Sequence, residues 1–252
     1  MAPVLFIGHG SPMNMLEPNP YAAGWRQIAR RLPRPKAILS VSAHWYTQGS
    51  FVSVSEKPET IHDFYGFPEE LYQLDYPAPG APALARRVLE LYGNAVRPAE
   101  YGLDHGSWSV LRSLFPEADI PVAQLSVDGI ADSQTAFRLG QALAPLRDEN
   151  VLILGSGDVV HNLRLIDFDK PDGFVWADEF DRYIQSAVRA RRFDDVLHYE
   201  RAGESAKLAF PTPDHFLPLL YVLGASRPDD TVDVFLDERV LGSLSMTSYL
   251  FS

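Results

Sequence analysis

Cysteine is absent from the 252 residues. That omission removes disulfides, iron–sulfur clusters, thiolate zinc sites and cysteine nucleophiles together, and leaves any metal to nitrogen and oxygen ligands, which suit Fe(II), Zn(II) or Mn(II). Basic charge is also short: 22 Lys+Arg stand against 33 Asp+Glu, a formal net charge of −11. A pI near 5.0 gives no overall positive field for phosphate backbones or anionic lipid, so neither nucleic acid nor a membrane is an expected partner. Long apolar runs are missing as well. None approaches the ~18 residues of a membrane span, and the apolar stretch Val4–Ile7 is far shorter than a signal-peptide core and follows no basic residue. The expectation is a soluble, cytoplasmic protein. Repeats, low-complexity tracts and flexible linkers are absent too, and one domain over residues 1–252 is the simpler reading.

What is present is ordinary globular material: 46% hydrophobic and 22% charged residues, enough to bury a core and too apolar for disorder. Four short apolar runs, Val4–Ile7, Ala37–Val41, Ile120–Leu125 and Val151–Leu154, each end at or near a glycine or serine. Continuous β-branched runs of that length fit strands buried on both faces. Amphipathic helical patterns occupy Tyr21–Arg31, Pro82–Tyr92, Ser133–Leu146 and Val175–Arg192. The βα alternation predicts an α/β fold with a mostly parallel central sheet covered by helices on both faces, and functional residues where strands end. Glu56–Pro79, with four prolines among aromatics, reads as a long excursion over the sheet or a lid. Pro213 reads as a helix entry. Thr231–Leu236 and Ser243–Phe251 read as closing strands with a turn near Gly242.

Seven histidines stand at 9, 44, 62, 105, 161, 198 and 215. A single histidine is more often a surface or hydrogen-bonded core residue than a ligand, and context decides which of these depart from that rule. His9, His44 and His161 each follow a predicted strand, at whose ends Ser126 is a further candidate. Three imidazoles at three strand ends point to one rim. Neutral imidazole is the commonest nitrogen ligand of iron and zinc, and ligands drawn from separate strand ends leave one side of a metal open. His215, between Asp214 and Phe216, could turn to the same rim or be structural. His105, beside Asp104 and Gly106, fits a proton donor or substrate clamp. His62 reads as packing within the lid, and His198 as structural. Gly8-His9-Gly10-Ser11 and Gly155-Ser156-Gly157 lack the full phosphate-binding fingerprint and the nucleophile-elbow spacing, so neither a P-loop nor a serine hydrolase is supported.

The strings Leu5-Phe6-Ile7-Gly8-His9-Gly10-Ser11-Pro12-Met13, Ser42-Ala43-His44-Trp45, His62-Asp63-Phe64-Tyr65-Gly66-Phe67-Pro68, Leu103-Asp104-His105-Gly106-Ser107-Trp108, His161-Asn162-Leu163 and Thr212-Pro213-Asp214-His215-Phe216-Leu217-Pro218-Leu219 occur in this order. Together they resemble the 4,5-DOPA extradiol dioxygenase family, of the class III, LigB-type ring-cleaving dioxygenases. With Gly242-Ser243-Leu244-Ser245-Met246, the resemblance covers nearly the whole chain.

The resemblance implies a single non-haem metal at one edge of the sheet and, as substrates, a small aromatic vicinal diol and O2. By motif His9, His44 and His215 would be metal ligands, and His161 either a further ligand or the acid/base residue. His105 would act as a proton donor or clamp facing the substrate. Asp63, Phe64 and Tyr65 are candidates for lining the ring pocket. Where the wider superfamily often uses two histidines and a glutamate, the last position here matches a histidine motif, which leaves Fe(II) and Zn(II) both open. Two other classes compete: a zinc-dependent hydrolase that activates water on the same imidazoles, and a non-enzymatic binding member of the same fold.

Overall fold

A computed structural model describes residues 1–16 and 18–252 of the chain. Ten strands are formed among them: β1 (Val4–Gly8), β2 (Ala37–Thr47), β3 (Ser50–Ser53), β4 (Val96–Ala99), β5 (Val122–Asp128), β6 (Val151–Gly157), β7 (Val232–Phe235), β8 (Arg239–Val240), β9 (Leu244–Ser245) and β10 (Ser248–Phe251). Eight make one sheet in the order β4-β3-β5-β2-β6-β1-β10-β7, and β8 and β9 form a separate ribbon. Its centre, β5-β2-β6-β1, is parallel, whereas β10 joins β1 and β7 joins β10 antiparallel.

The apolar runs of β1, β2 and β6 make sense once both faces are covered. Along β1, Val4 and Phe6 enter the core on one face while Leu5 and Ile7 enter the core on the other, all fully buried. Val151 and Ile153 of β6 alternate with Leu152 and Leu154 in the same way. Side chains point to opposite faces at period two, so a strand covered on both sides reads as an unbroken apolar run.

The helices are α1 (Pro20–Ala29), α2 (Glu69–Tyr72), α3 (Pro82–Tyr92), α4 (His105–Leu114), α5 (Ser133–Leu143), α6 (Val175–Arg189), α7 (Phe193–Leu197), α8 (Glu204–Ala209) and α9 (Leu217–Ala225). α1 and α4 cover the face that receives Leu5 and Ile7. α3, α5, α6 and α9 cover the other. α9 is buried all round between the sheet and α5, which is why its sequence is apolar on every side. None of the described helices is long and apolar enough to cross a membrane.

The structure moves several predicted boundaries. β2 runs on to Thr47 because the polar segment after Val41 still pairs with β5, through an irregularity between Ser42 and Tyr46. β5 begins at Val122, and the buried Ile120 only packs beneath it. Pro213 does not enter a helix. Its carbonyl closes a turn with the N–H groups of Phe216 and Leu217, and Pro218 occupies the first turn of α9. The turn at Gly242 belongs to the β8–β9 ribbon, while the closing strands of the sheet are β7 and β10.

Candidate metal centre

The edge that gathers the histidines is the carboxyl end of the central strands β1, β6 and β2, not a flanking strand. His9 directly follows β1, His44 lies within β2, and His161 comes four residues after Gly157, the last residue of β6. His44 sits in the irregular stretch between Ser42 and Tyr46, and a bulge of this kind re-aims a side chain that a regular strand would keep in its own face. His105 is the first residue of α4, whose N-cap Asp104 accepts from the Ser107 N–H at 3.0 Å. A Cβ on Gly106 would stand 2.8 Å from His44 Cδ2, so glycine there lets α4 lie against the imidazole. A Cβ on Gly157 would lie 2.1 Å from the His215 carbonyl. Glycine at that position lets the loop before α9 rest on the end of β6 and deliver His215.

These elements bring five rings together. Ring centroids of His9, His44 and His215 form a near-equilateral triangle of 5.1, 5.2 and 5.0 Å. His105 stands 3.8 Å from His44, and His161 stacks on His215 at 3.4 Å with only 4° between planes. One ring nitrogen from each of His9, His44 and His215 lies within 4.8 Å of the other two.

Hydrogen bonds on the far side of each ring fix its tautomer. Ser156 Oγ donates its one proton to the Gly106 carbonyl at 2.6 Å, so at 3.0 Å it can only accept from His9 Nδ1–H. His44 Nδ1–H faces Asp63 Oδ2 at 3.1 Å, and His215 Nδ1–H donates to Asp214 Oδ2 at 2.7 Å. Each neutral ring therefore presents an Nε2 lone pair. The Nε2 atoms of His9 and His44 meet at 3.2 Å, and His215 Nε2 is buried with no hydrogen-bond partner. One cation between them would satisfy all three, whereas a proton kept on His44 bridges only two. Carboxylate and hydroxyl groups holding Nδ1–H are the usual outer partners of metal-bound imidazole. The donor set fits a divalent metal.

Electrostatics agree with neutral rings at most positions. Burial, reinforced by the neighbouring imidazoles, holds His9 and His215 well below the ordinary histidine range. Burial pushes His161 down to about 4 and lowers His105, with His44 adding to the effect. His44 is the exception: burial disfavours its cation, yet the hydrogen bond to Asp63 and the nearby Asp104 raise it. Asp63, despite its own burial, is held far below the usual carboxylate range by His105 and His44.

Not every predicted site residue joins the cluster. Asp63 does, as a clamp: Oδ1 accepts from both the backbone N–H and the Nδ1–H of His105, at 2.8 and 3.0 Å, while Oδ2 faces His44. Phe64 meets His105 edge-on at 5.4 Å. Tyr65, a candidate for lining the ring pocket, is 92% exposed. Ser126 is buried within β5 and accepts from the Phe51 N–H at 2.8 Å, a structural tie. His62 packs on Phe64 and Trp108 and contacts the Leu74 carbonyl at 2.9 Å. His198 caps its own turn at the Asp194 carbonyl. Sequence reasoning passed over Asp158 and the orienting role of Asp214. Asp158 is wholly buried among the imidazoles, and burial raises its carboxyl well above the usual range. The signal available was an acidic residue one position past a β-branched strand and its glycines, where burial makes a carboxylate costly.

The sequence profile of the catalytic LigB subunit of aromatic ring-opening dioxygenase matches residues 3–251. A 4,5-DOPA dioxygenase extradiol of Escherichia coli K12 is 44% identical, over 98% of this chain and 93% of its own. The protein of the same name from Beta vulgaris is 39% identical over 98% and 95%. The crystal structure of an uncharacterized protein from Escherichia coli K12 superposes with a TM-score of 0.88, 40% identity and full coverage of both chains.

Proposed function

The chain belongs to the LigB family of aromatic ring-opening dioxygenases and is thereby an extradiol ring-cleaving enzyme, and we propose that His9, His44 and His215 hold its divalent metal while His161 and His105 handle protons beside it. A catechol of the DOPA type, named in the relatives, is the proposed organic substrate, with O2 as the second. Fe(II), when bound, supplies a common centre for diol and dioxygen and a path for electrons between them. Zn(II) suits the same ligands and offers no such path.

What supports this reading is the convergence of three Nε2 lone pairs, each ring anchored from behind by Ser156, Asp63 or Asp214. The remaining residues act on the substrate. His105, with Nδ1–H spent on Asp63, has Nε2 free to take a phenolic proton. His161 lies flat on His215, the more buried of the two; its low basicity makes it a weak proton acceptor and, once protonated, a ready donor to the opening ring. Phe64 offers an aromatic edge for the substrate ring. Held together, the two reactants and the proton acceptors meet in one step instead of by successive collisions.

Oxygen uptake and the yellow ring-opened product, followed with a panel of catechols including DOPA on anaerobically Fe(II)-loaded protein, test the function. Full-length wild type should consume oxygen and a His44→Ala variant should not. Esters or amides hydrolysed by Zn-loaded protein, with no oxygen consumed by Fe-loaded protein, would instead favour the hydrolase.

A further inference from the structure

Asp104 is a wholly buried carboxylate whose hydrogen bonds come from three different elements. Oδ1 accepts from the Ser107 N–H of α4 at 3.0 Å and from Ser42 Oγ of β2 at 2.7 Å, while Gln124 of β5 donates from Nε2 to Oδ2. Burying a carboxylate is costly unless its oxygens are met in this way, so helix and strands are drawn to one point. A helix cap needs only the first of these bonds.

The other two bonds lead toward the rings. Ser42 Oγ, its proton given to Asp104, accepts the His44 N–H at 3.3 Å, where β2 becomes irregular. On the helix, His105 follows Asp104 directly, and Gly106 comes next. The Gly106 carbonyl accepts from Ser156, the hydroxyl that holds His9 Nδ1–H. Ser107 Oγ meets Ser40 Oγ of β2 at 2.8 Å. A Cβ on Gly106 would stand 2.6 Å from Ser42 Oγ, which leaves the turn no slack against the strand. The first turn of α4 is thus linked to His9, His44 and His105, although no hydrogen bond joins the Asp104 carboxylate to any of their rings.

We propose that Asp104 is a positioning residue for ring cleavage: through Ser42 it fixes His44 in the bulge of β2, and through the cap it fixes His105 beside it. This rests on the reading that His44 holds a metal and His105 takes a proton. Without the carboxylate, Ser42 Oγ–H turns to another acceptor, the His44 backbone loses its tie, and the turn that carries His105 frays. A shift of about 1 Å at a catalytic group is enough to cost ~100-fold in rate.

Asp104→Ala and Asp104→Asn, each in the full chain, test this by urea denaturation, by the visible d–d spectrum of the Co(II)-loaded protein and by turnover after Fe(II) loading. Asn keeps the acceptor for Ser107 and Ser42. Gln124 can turn its amide to meet the new Nδ2–H, because its Oε1 has no hydrogen-bond partner. Per folded, metal-loaded molecule, Asp104→Ala should lose about 10–100-fold in kcat, more than it changes KM, and should shift the Co(II) spectrum. Asp104→Asn should restore the spectrum and bring kcat to within about threefold of wild type, well under the tenfold that 1.4 kcal/mol would produce. An Asp104→Ala protein that is less stable yet keeps kcat and spectrum overturns the proposal and leaves a simple helix cap. Asp104→Asn as impaired as Asp104→Ala also overturns it, since charge and not hydrogen bonding would then govern the site. Should Asp104→Ala fail to fold, Ser42→Ala decides, because it spares the cap and cuts only the tie to β2. A shifted spectrum with lowered kcat is expected there, and wild-type values of both refute the proposal. A wild type that takes up no Co(II) overturns the triad itself and the proposal with it, a result distinct from every outcome in the variants.

Discussion

The two ends of the parallel strands carry buried polar clusters of opposite kinds. At the amino end Arg147, wholly buried, donates from Nε to the Ala2 carbonyl at 2.9 Å and from Nη1 to the Ala225 carbonyl at 3.2 Å. It also grips Asp230 through two further bonds of 2.7 and 2.6 Å, and Asp230 accepts from the Arg227 N–H. Donors there meet acceptors and charge meets countercharge. At the carboxyl end acceptors meet acceptors: His9 Nε2 faces His44 Nε2, and His215 Nε2 and Asp158 Oδ2 have no partner. Both clusters sit where unpaired polar atoms are expensive. The first is complete in itself; the second becomes complete only around a cation. Burial alone therefore does not mark the functional end, whereas the sign of what is left unmatched does.

That contrast can be broken at either end. Arg147→Met should cost about 3–5 kcal/mol in urea denaturation, since it leaves Asp230 buried without its countercharge, while metal uptake per folded molecule stays at the wild-type level. A loss below about 1 kcal/mol would mean that Asp230 finds water or another donor. The pair also fixes an acid limit. Despite burial, which opposes it, the Arg147 hydrogen bonds hold the Asp230 carboxyl below its ordinary value of 3.8, so the unfolded chain takes up protons there before the native one does. Its contribution to stability is thus complete above about pH 5 and fades as pH falls further. The gap between wild type and Arg147→Met should narrow as pH falls, starting above the ordinary carboxyl range, because in the variant burial without the countercharge raises the Asp230 carboxyl and the native variant takes up the proton first.

Asp63→Asn is the smaller perturbation and should touch both properties. One carboxylate receives two N–H groups of His105 and one of His44; an amide offers one acceptor and turns a donor toward a donor. A stability loss of about 1–3 kcal/mol is expected, together with ~10–100-fold weaker metal binding. Isothermal titration beside denaturation separates the two. A stability loss with unchanged metal affinity would make Asp63 a brace for α4 and not an orienter of His44.

How much of this was legible beforehand follows from which interactions are local. β1 and β6 could be read because both their faces are buried, and a run such as Val151–Leu154 has few other uses. His9, His44 and His161 could be placed on one rim because each comes shortly after an apolar run that reads as a strand. β3 and β4 were not foreseen: they are four residues long, half-exposed in part, and contain Pro98. α4 escaped because its opening Asp104-His105-Gly106 reads as a loop until Asp104 is seen as a cap, with Ser42 and Gln124 also donating to it. Asp158 escaped for a deeper reason. Its partners, Gly10 and His215, are separated from it by 148 and 57 residues, and only the sheet brings them together.

The smallest expected effect tests the direction of the segment between Thr60 and Leu74. Phe64 faces His105 and Trp108, and the adjacent Tyr65 is exposed, so the two positions should separate cleanly although both were candidates for the ring pocket. Tyr65→Ala should leave stability within about 0.5 kcal/mol of wild type, as isolated surface substitutions do, and kcat and KM for a catechol within about twofold, under the tenfold that 1.4 kcal/mol would produce. Phe64→Ala should raise KM by removing the aromatic edge beside His105. A KM rise in Tyr65→Ala that matches or exceeds that of Phe64→Ala would require the segment to turn Tyr65 inward when substrate binds, and the open face of the imidazole cluster would then be closed by a moving lid instead of by the fixed wall of Phe64.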